Sequence, residues 1–406
     1  MARNYSTKNF FRQMPNALLA RYFKDRDLLG DVDFAAMKEG QPDDLFKAWL
    51  ALPDKDRNKM DAEFQDIFEM SSEKGFRAII DEASWHLREI PESRDAFVEK
   101  LSALSNHYER AMVTFLDRHL FWRGATRFYH ADTLPYWRKR KNFPNKQAAV
   151  DEASIQDLAA LIRNYFHHTE GRGNNCIVEP FRRGELDYFF AYPEDYSQES
   201  IEWVNGEFGR RPHNPAFEII YVFSQKEGSL DLNFRGSYKA IEPLQGMFAT
   251  AILKLDGLPP DPKDNRVYDL APLIQKGFDF TYAPNDGIED VTVKKLRLSS
   301  KVKKGDRITL EADTSQNRDA IYALLDQVKK SLPINMYNIT LVELSVLIMV
   351  EADKPAKRKT VRITYPNSCS LKYDLLDLKL RDMLAASGIE LKEPEKGAEG
   401  QKPVKV

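Results

Sequence analysis

The stretch EIIYVFSQKEGSLDLNF, residues 218–234, decides the fold class of the C-terminal half of the chain. Apolar and polar residues alternate from Leu230 to Phe234, and Asp231 and Asn233 point away from the apolar side. That period of two is typical of a strand with one buried face. The polar QKEG between the two apolar runs predicts a hairpin turn, and apolar residues every three or four positions after residue 240 predict a helix.

The order strand, turn, strand, helix recurs along the C-terminal half. Two further copies begin with VTVKKLRLSS (291–300) and RITLEAD (307–313), and with LVELSVLIMV (341–350) and TVRITY (360–365). A weaker first copy consists of CIVEPFRR (176–183), ELDYFFAY (185–192) and SQESIEWV (197–204), the last interpreted as its helix. Such ββα units predict antiparallel sheet with helices on one face. An ordinary meander without internal duplication explains the pattern equally well.

Residues 1–125 show only the helical period. The longest pattern follows Pro91, and apolar residues recur on one face from Phe97 to Phe115, which predicts one amphipathic helix over 93–122. The predicted fold class is therefore α+β, with an all-helical N-terminal domain followed by antiparallel β-sheet domains built from ββα units. The predicted parts are a helical domain (1–125), a basic connector plus helix (126–175), two ββα-rich regions (176–258 and 259–391) and a disordered tail (392–406).

The strand alternation also predicts burial. The expected buried side chains are those of Ile219, Tyr221, Leu230, Leu232, Ile308, Leu310, Val361 and Ile363, and the expected exposed ones are those of Asp231, Thr309 and Arg362.

Composition excludes several classes of protein. The 406 residues are 42% hydrophobic and 30% charged, which is typical of globular domains, and 60 basic residues against 62 acidic ones give a net charge of −2. Affinity for a polyanion therefore requires a local patch. Cys176 and Cys369 belong to no CxxC pair, which excludes a disulfide framework or a cysteine zinc site. The N-terminus has no apolar signal segment and no apolar run is long enough for a bilayer, so we expect a cytoplasmic protein without membrane contact.

The segment from Arg123 to Lys146 is basic and aromatic, with Asp132 as its one acidic residue. Cations that neutralise phosphates and rings that stack on bases are the two requirements of a single-strand binding site. The candidate nucleic-acid-binding residues are Arg127, Tyr136, Trp137, Arg138, Lys139, Arg140 and Lys141. The alternative is structural, with the rings packed under the connector and the cations facing water or paired with acids.

A second region supplies candidates for catalysis. His167 and His168 open the loop HHTEGRGNNC, and Glu179, Glu185 and Asp187 lie on the next predicted strands. Paired carboxylates bind catalytic metals in nucleases, although the histidine spacing matches no metal motif. The structural alternatives are a polar helix end for the histidine loop and a solvated hairpin for the carboxylates.

The sequence contains no P-loop, dinucleotide-binding or nucleophile-elbow motif. Our leading hypothesis is a non-enzymatic binding or adaptor component of a bacterial multi-protein system, for example a phage-defence or DNA-processing complex. It uses no cofactor, binds a protein partner, and contacts nucleic acid through residues 123–146; the sequence does not indicate its oligomeric state. The alternative hypothesis is a metal-dependent hydrolase or nuclease that uses residues 167–187.

Overall fold

The computed structural model describes residues 4–135, 137–204, 206–260, 266–349 and 355–391. The chain divides into two compact units. The first unit comprises Met1–Leu134 and Phe181–Gly184, and the second comprises Pro135–Pro180 and Glu185–Val406.

The first unit is helical. Its helices are α1 (Thr7–Gln13), α2 (Asn16–Lys24), α3 (Asp43–Leu50), α4 (Asp54–Met70), α5 (Glu73–His86), α6 (Pro91–Ser102), α7 (His107–Asp117) and α8 (His119–Thr133). Phe64 of α4 lies at the centre of their shared core, with ring centroids 4.8 Å from Phe10 and 4.8 Å from Tyr22. Because all three rings are almost completely buried, this cluster supplies much apolar burial to the unit.

The prediction of one helix over 93–122 is wrong. The structure breaks this segment into α6, α7 and the start of α8. The Asn106 side chain accepts a hydrogen bond from the backbone N–H of Glu109 at 3.0 Å, which caps the start of α7. Arg118 has a φ of −140° and a ψ of 59°, so it interrupts the helical conformation again before α8. The same apolar spacing is therefore distributed over three short helices.

The second unit begins with β1 (Arg138–Arg140) and α9 (Glu152–Glu170). The strands that follow are β2 (Cys176–Arg183), whose last residues belong to the first unit, β3 (Leu186–Pro193), β4 (Gln198–Val204), β5 (Glu207–His213), β6 (Ile219–Ser224) and β7 (Ser229–Phe234), followed by α10 (Ile241–Ala251). The first sheet has the order β1-β7-β6-β3-β2. Helices α9 and α10 cover one of its faces through a shared apolar core.

The second sheet has the order β12-β11-β10-β8-β9. Its elements are β8 (Ile288–Ser300), β9 (Arg307–Glu311), α11 (Ala320–Lys329), β10 (Tyr337–Ile348), β11 (Lys357–Thr364), β12 (Ser368–Cys369) and α12 (Leu375–Ala386). All its strand pairs are antiparallel, and α11 and α12 pack on one face. The predicted α+β class, with helices first and antiparallel sheets after, is confirmed.

The three clear strand–strand–helix copies are confirmed as β6-β7-α10, β8-β9-α11 and β10-β11-α12. The weak first copy is wrong, because SQESIEWV is strand β4 and not a helix. Its apolar residues Ile201 and Trp203 are two positions apart, which is the spacing of a strand. The predicted tail, residues 392–406, lies outside the described residues.

The burial predictions hold for most of the sheet residues. Ile308 is only half-buried, because it lies on β9 at the edge of its sheet. The prediction that Asp231 is exposed is wrong, since every residue of β7 is buried. The hydroxyl of Tyr373 donates a hydrogen bond to the Asp231 carboxylate on the face of β7 that we expected to be solvated. A long-range contact therefore covers this face, and local alternation does not reveal it.

Candidate functional site: an exposed aromatic hairpin

Strands β4 and β5 form a two-stranded sheet that gains no third strand among the described residues. Their register places Trp203 opposite Phe208 and Ile201 opposite Arg210. The sequence between the strands is Asn205-Gly206, the dipeptide that most strongly favours a two-residue hairpin turn. Gly206 has a φ of +80°, which a side chain would make costly.

One face of this hairpin is apolar and open to solvent. Directly paired residues, and residues two apart on one strand, share a face, so Ile201, Trp203 and Phe208 lie together. The exposed fractions of the three side chains are 61%, 71% and 62%. The ring centroids of Trp203 and Phe208 are 5.3 Å apart at an interplanar angle of 53°. We call these three residues the aromatic face.

The charges of the hairpin nearly balance. Arg211 lies 3.8 Å from Glu202 on the opposite, polar face, and Arg210 lies 3.4 Å from Glu199. Both pairs are solvent-exposed, so each contributes little to stability. With Glu207, the hairpin carries three carboxylates against two guanidinium groups. The hairpin therefore has no excess of positive charge for a phosphate, and the aromatic face is its exposed apolar surface.

The base of the hairpin is held by Arg172. Its guanidinium lies 2.7 Å from a carboxylate oxygen of Glu170 and 2.7 Å from one of Asp195, and it covers the ring of Phe217 at 3.9 Å. Burial alone would lower the pKa of Arg172, but the hydrogen bonds that Arg172 donates to Asp195 and Glu170 outweigh it and raise the pKa. The Tyr196 hydroxyl donates a 2.6 Å hydrogen bond to the Glu170 carbonyl. These contacts therefore fix the base of the hairpin within the second unit.

The loop HHTEGRGNNC, which contains the candidate catalytic residues His167 and His168, thus provides the arginine that anchors the hairpin. His167 and His168 lie in the last turn of α9, with their ring centroids 5.4 Å apart. His167 Nδ1 lies 3.2 Å from Oδ1 of Asn174. The helix ends at Gly171 with a φ of +70°, as the glycine-rich sequence predicts.

The three predicted carboxylates occupy different environments. Glu179 is half-buried on β2, Glu185 is exposed in the turn, and Asp187 is buried on β3. No group of three or more histidine, cysteine, aspartate or glutamate side chains that could hold a metal ion occurs in the described part of the chain. The hydrolase or nuclease alternative stays a prediction.

The predicted nucleic-acid residues are split between the two units. Arg127 lies on α8 in the first unit and lines a cleft of about 530 Å³ together with Asp66 and Trp122. Tyr136 lies outside the described residues. Trp137 is 4% exposed, and the ammonium of Lys372 lies 5.8 Å from the centre of its ring.

The basic run from Arg138 to Lys141 is occupied by contacts within the second unit. Lys139 is 2% exposed, and its ammonium lies 2.6 Å from Oε2 of Glu227 and 2.9 Å from Oε1 of Glu390. Burial alone would lower the pKa of Lys139, but these carboxylates outweigh it and raise the pKa. Arg140 donates to the Pro259 carbonyl at 2.7 Å, and Lys141 donates to the carbonyl of Leu391.

Arg138 completes the run. It is half-buried and covers the ring of Tyr238 at 4.7 Å. Carboxylates, carbonyls and a ring of the second unit are thus among the partners of the run. Contact of residues 123–146 with nucleic acid stays a prediction.

The aromatic face is not among the predicted sites, although the sequence contains a pattern that indicates a hairpin there. Ile201, Trp203 and Asn205-Gly206 give strand alternation followed by a hairpin turn. The exposure of these side chains is not visible in the sequence, because alternation does not say which face is covered.

Comparison with models of known protein families gives no match, and no curated protein sequence matches significantly. Among the described residues, the helices are too short or too polar to cross a membrane.

Proposed function

We propose that the protein is a non-catalytic binding protein that docks a partner protein through the aromatic face of the hairpin. One observation carries this proposal: Ile201, Trp203 and Phe208 project from one face of an isolated hairpin, each more than half exposed. Large apolar side chains grouped on a surface mark interaction sites. Tryptophan in particular is enriched among the residues that dominate binding energy.

The anchored base favours binding on entropic grounds. Association costs free energy for every loop or side chain that becomes ordered. The contacts of Arg172 with Glu170 and Asp195 fix the direction of the hairpin before any partner arrives. A two-stranded hairpin is only marginally stable alone, so a partner that packs on the aromatic face also stabilises the strands.

The proposed occupant is a different protein with an apolar groove. The three side chains expose roughly 400 Å² in total, given that large side chains bury about 150–250 Å² each. Two copies that meet through this face would bury about 800 Å² in total, which is less than the ~1,200–2,000 Å² of stable interfaces. A groove in a different protein can cover the aromatic face together with the strand edges that flank it, which is more area than a second copy of this face offers.

Photo-crosslinking in cells of the source organism tests the proposal. A benzophenone amino acid replaces Phe208 on the aromatic face, and, as the matched control, Arg211 on the polar face of the same strand. We expect position 208 to crosslink one defined protein and position 211 to crosslink it much less. Crosslinking of position 208 to a second copy of the chain, or equal crosslinking from both positions, would contradict the proposal.

The purified partner then gives a quantitative test. Trp203→Ala and Phe208→Ala should each weaken its binding by about 30-fold or more, the range of interface hot spots. Tyr238→Ala, which removes another strongly exposed ring of the same unit, should leave the affinity unchanged. Unchanged melting temperatures for all three variants would assign the loss to binding, because none of these rings is buried.

The cellular setting belongs to the proposal. A cytoplasmic bacterial complex, such as one in phage defence or DNA processing, would provide the partner, and the crosslinked protein identifies which system it is.

A further inference from the structure

The second sheet has one face that carries no helix. Helices α11 and α12 cover the apolar face, where Val342, Leu344 and Val346 of β10 are buried. Successive strand residues point to opposite faces, so Glu343 and Ser345 point to the other side. The neighbouring strand β11 adds Thr360 and Arg362 to that side, and both are exposed.

Six cations lie on this open face, which we call the basic face: Lys294, Lys295, Arg297, Arg307, Arg358 and Arg362. The register assigns them to one side, because Lys295 pairs with Glu343, and Glu343 pairs in turn with Arg362. On β9, Thr309 pairs with Arg297, and Arg307 lies two positions from Thr309. The cations therefore extend across β9, β8 and β11.

A β-bulge increases the density of charge. Glu343 pairs with Lys295 whereas Leu344 pairs with Val293, so Lys294 is an extra residue of β8. The ammonium of Lys294 reaches across β10 to the Thr360 hydroxyl at 3.2 Å. Two consecutive lysines thus lie near one glutamate.

The carboxylates on the basic face are too few for its cations. Glu343 lies 2.5 Å from Arg362 and 3.7 Å from Lys294, and Glu311 lies 2.8 Å from Lys295. Arg297 makes its hydrogen bonds to Thr340 instead. Within the described ranges, no acid pairs with Arg307.

The arginines also repel one another. Burial, and then the positive charges of Arg307 and Arg362, lower the pKa of Arg297. The whole chain has a net charge of −2, so this positive field is local. An anion placed between these side chains would relieve the repulsion.

We propose that the basic face binds the phosphate backbone of a nucleic acid. Guanidinium and ammonium groups together with serine and threonine hydroxyls are the side chains that contact phosphates. The centre of the face, at Glu343, Ser345 and Thr360, is polar. Leu341 and Leu347 of β10 point to this side as well, but each is half-buried and the residues between them on this face, Glu343 and Ser345, are polar. A polar centre favours a polyanion over a folded protein partner.

A shallow cleft of about 350 Å³ at one side of the basic face fits this assignment. Lys294 and Arg358 line it together with the hydroxyls of Thr314, Ser315 and Ser345. Glu311 and Asp313 line it as well, so one end of the cleft disfavours an anion. We therefore place the phosphates over the arginines and the nearby hydroxyls. Since rings are missing from the described part of this face, recognition is of the backbone and not of the bases.

Fluorescence anisotropy with the full chain tests the proposal. The probes are a labelled 30-base-pair DNA duplex and a labelled 30-nucleotide RNA, each measured at 50 and 200 mM salt. The test variant is Arg307→Glu with Arg358→Glu, both at exposed positions. Lys55→Glu with Lys59→Glu, two exposed lysines of α4, makes the same charge change elsewhere.

We expect the wild type to bind at least one probe, with an affinity that falls as salt rises. The arginine variant should bind about tenfold more weakly or worse, and its slope of log affinity against log salt should be smaller by about two. The lysine variant and Trp203→Ala should bind like the wild type.

Three outcomes would overturn the proposal. The first is no binding of either probe at 50 mM salt. The second is an equal loss of affinity in the arginine and lysine variants, since that would show a diffuse charge effect. The third is binding of labelled poly-glutamate as tight as that of the nucleic acids, which would assign the face to an acidic protein. Matching melting temperatures of all variants exclude misfolding as the cause of a loss.

Discussion

The ammonium nitrogen of Lys139 lies 2.9 Å from Oε1 of Glu390, although 251 positions separate the two residues along the chain. Lys139 belongs to β1, the first strand of the second unit, and Glu390 follows α12, its last helix. The Nη1 atom of Arg381 approaches the same carboxylate at 3.9 Å. One buried group of charges therefore joins the beginning and the end of this unit.

Replacement of Lys139 by methionine should lower the free energy of unfolding by about 3–5 kcal/mol, because the buried carboxylate of Glu390 loses its closest cation. Chemical denaturation followed by circular dichroism measures the change. Lys146→Met, at an exposed position of the same segment, is the control and should change the free energy of unfolding by less than about 0.5 kcal/mol. An unchanged midpoint for Lys139→Met would contradict the burial of this pair.

Stability of the first unit should depend on the ionisation of Glu82. Burial raises the pKa of Glu82 to about 8 from an ordinary value of 4.5, although the nearby Arg183 charge opposes the rise. The folded state thus favours the protonated acid. Its contribution is complete below pH 4.5 and is lost as the pH rises through 8.

Glu82→Gln should remove this loss. Melting temperatures from pH 5 to pH 9 give the measurement, and the variant should gain on the wild type as the pH rises. Burial lowers the pKa of His86, which lies 3.0 Å from Glu82. The contribution of His86 to the stability of the unit is therefore lost as the pH falls, which is the opposite direction. Because the two side chains are in contact, the substitution also affects His86, so the decisive comparison is from pH 7 to pH 9, above the range in which His86 gains its proton. A difference that is constant with pH would show that Glu82 is ionised in the folded state.

The anchoring of the hairpin depends on Arg172. Arg172→Met removes charge-assisted hydrogen bonds to Glu170 and Asp195, each worth about 1.5–3 kcal/mol. Backbone amides of β4 and β5 should then exchange at least about tenfold faster, as hydrogen-exchange mass spectrometry would show. Arg210→Met, which breaks only an exposed pair, serves as the control. Equal protection in both variants would argue against Arg172 as the anchor.

Trp137 distinguishes the two interpretations of the basic segment. A ring that stacks on a base is available to solvent, and its loss weakens nucleic-acid binding by about 1–3 kcal/mol without unfolding the protein. Trp137 is only 4% exposed, so we expect Trp137→Ala to lower the free energy of unfolding by about 3–5 kcal/mol. Full stability with reduced nucleic-acid affinity would favour the binding interpretation instead.

Leu232 tests the apolar core of the first sheet. Its side chain is completely buried in the core beneath α9 and α10, so Leu232→Ala should cost about 2–5 kcal/mol. Thr309→Ala, at an exposed strand position, should cost less than about 0.5 kcal/mol. Similar losses for both substitutions in denaturant titrations would contradict the assigned faces.

The sequence predicts the class of each element where its period is long and regular. The runs around Leu232, Leu310 and Val361 alternate over five or more positions, and their strands lie where that alternation places them. The sequence pattern does not indicate the breaks in the predicted long helix at Asn106 and Arg118, because the apolar spacing continues across them. A cap depends on single hydrogen bonds, which periodicity does not detect.

The candidate sites are harder to predict, since they depend on what covers each face. Asp231 and Lys139 look solvated from their neighbours in sequence, yet Tyr373 and Glu390 contact them from distant positions. Trp203 and Phe208 look like core residues, yet the structure leaves them exposed. The cations of VTVKKLRLSS and RITLEAD alternate with apolar residues, so the basic face is present as a pattern, but only the strand order places Arg297 on the same face as Arg362.

The membership of Phe181–Gly184 in the first unit has a consequence for the order of synthesis. Within that unit, the guanidinium of Arg183 lies 2.7 Å from Asp81 and 3.0 Å from Asp132. A ribosome that has made only the first 134 residues has produced both acids but not their counter-ion. The helical unit therefore reaches its final form only after residue 184 has left the exit tunnel, and a fragment that stops at Leu134 lacks the guanidinium that contacts both acids.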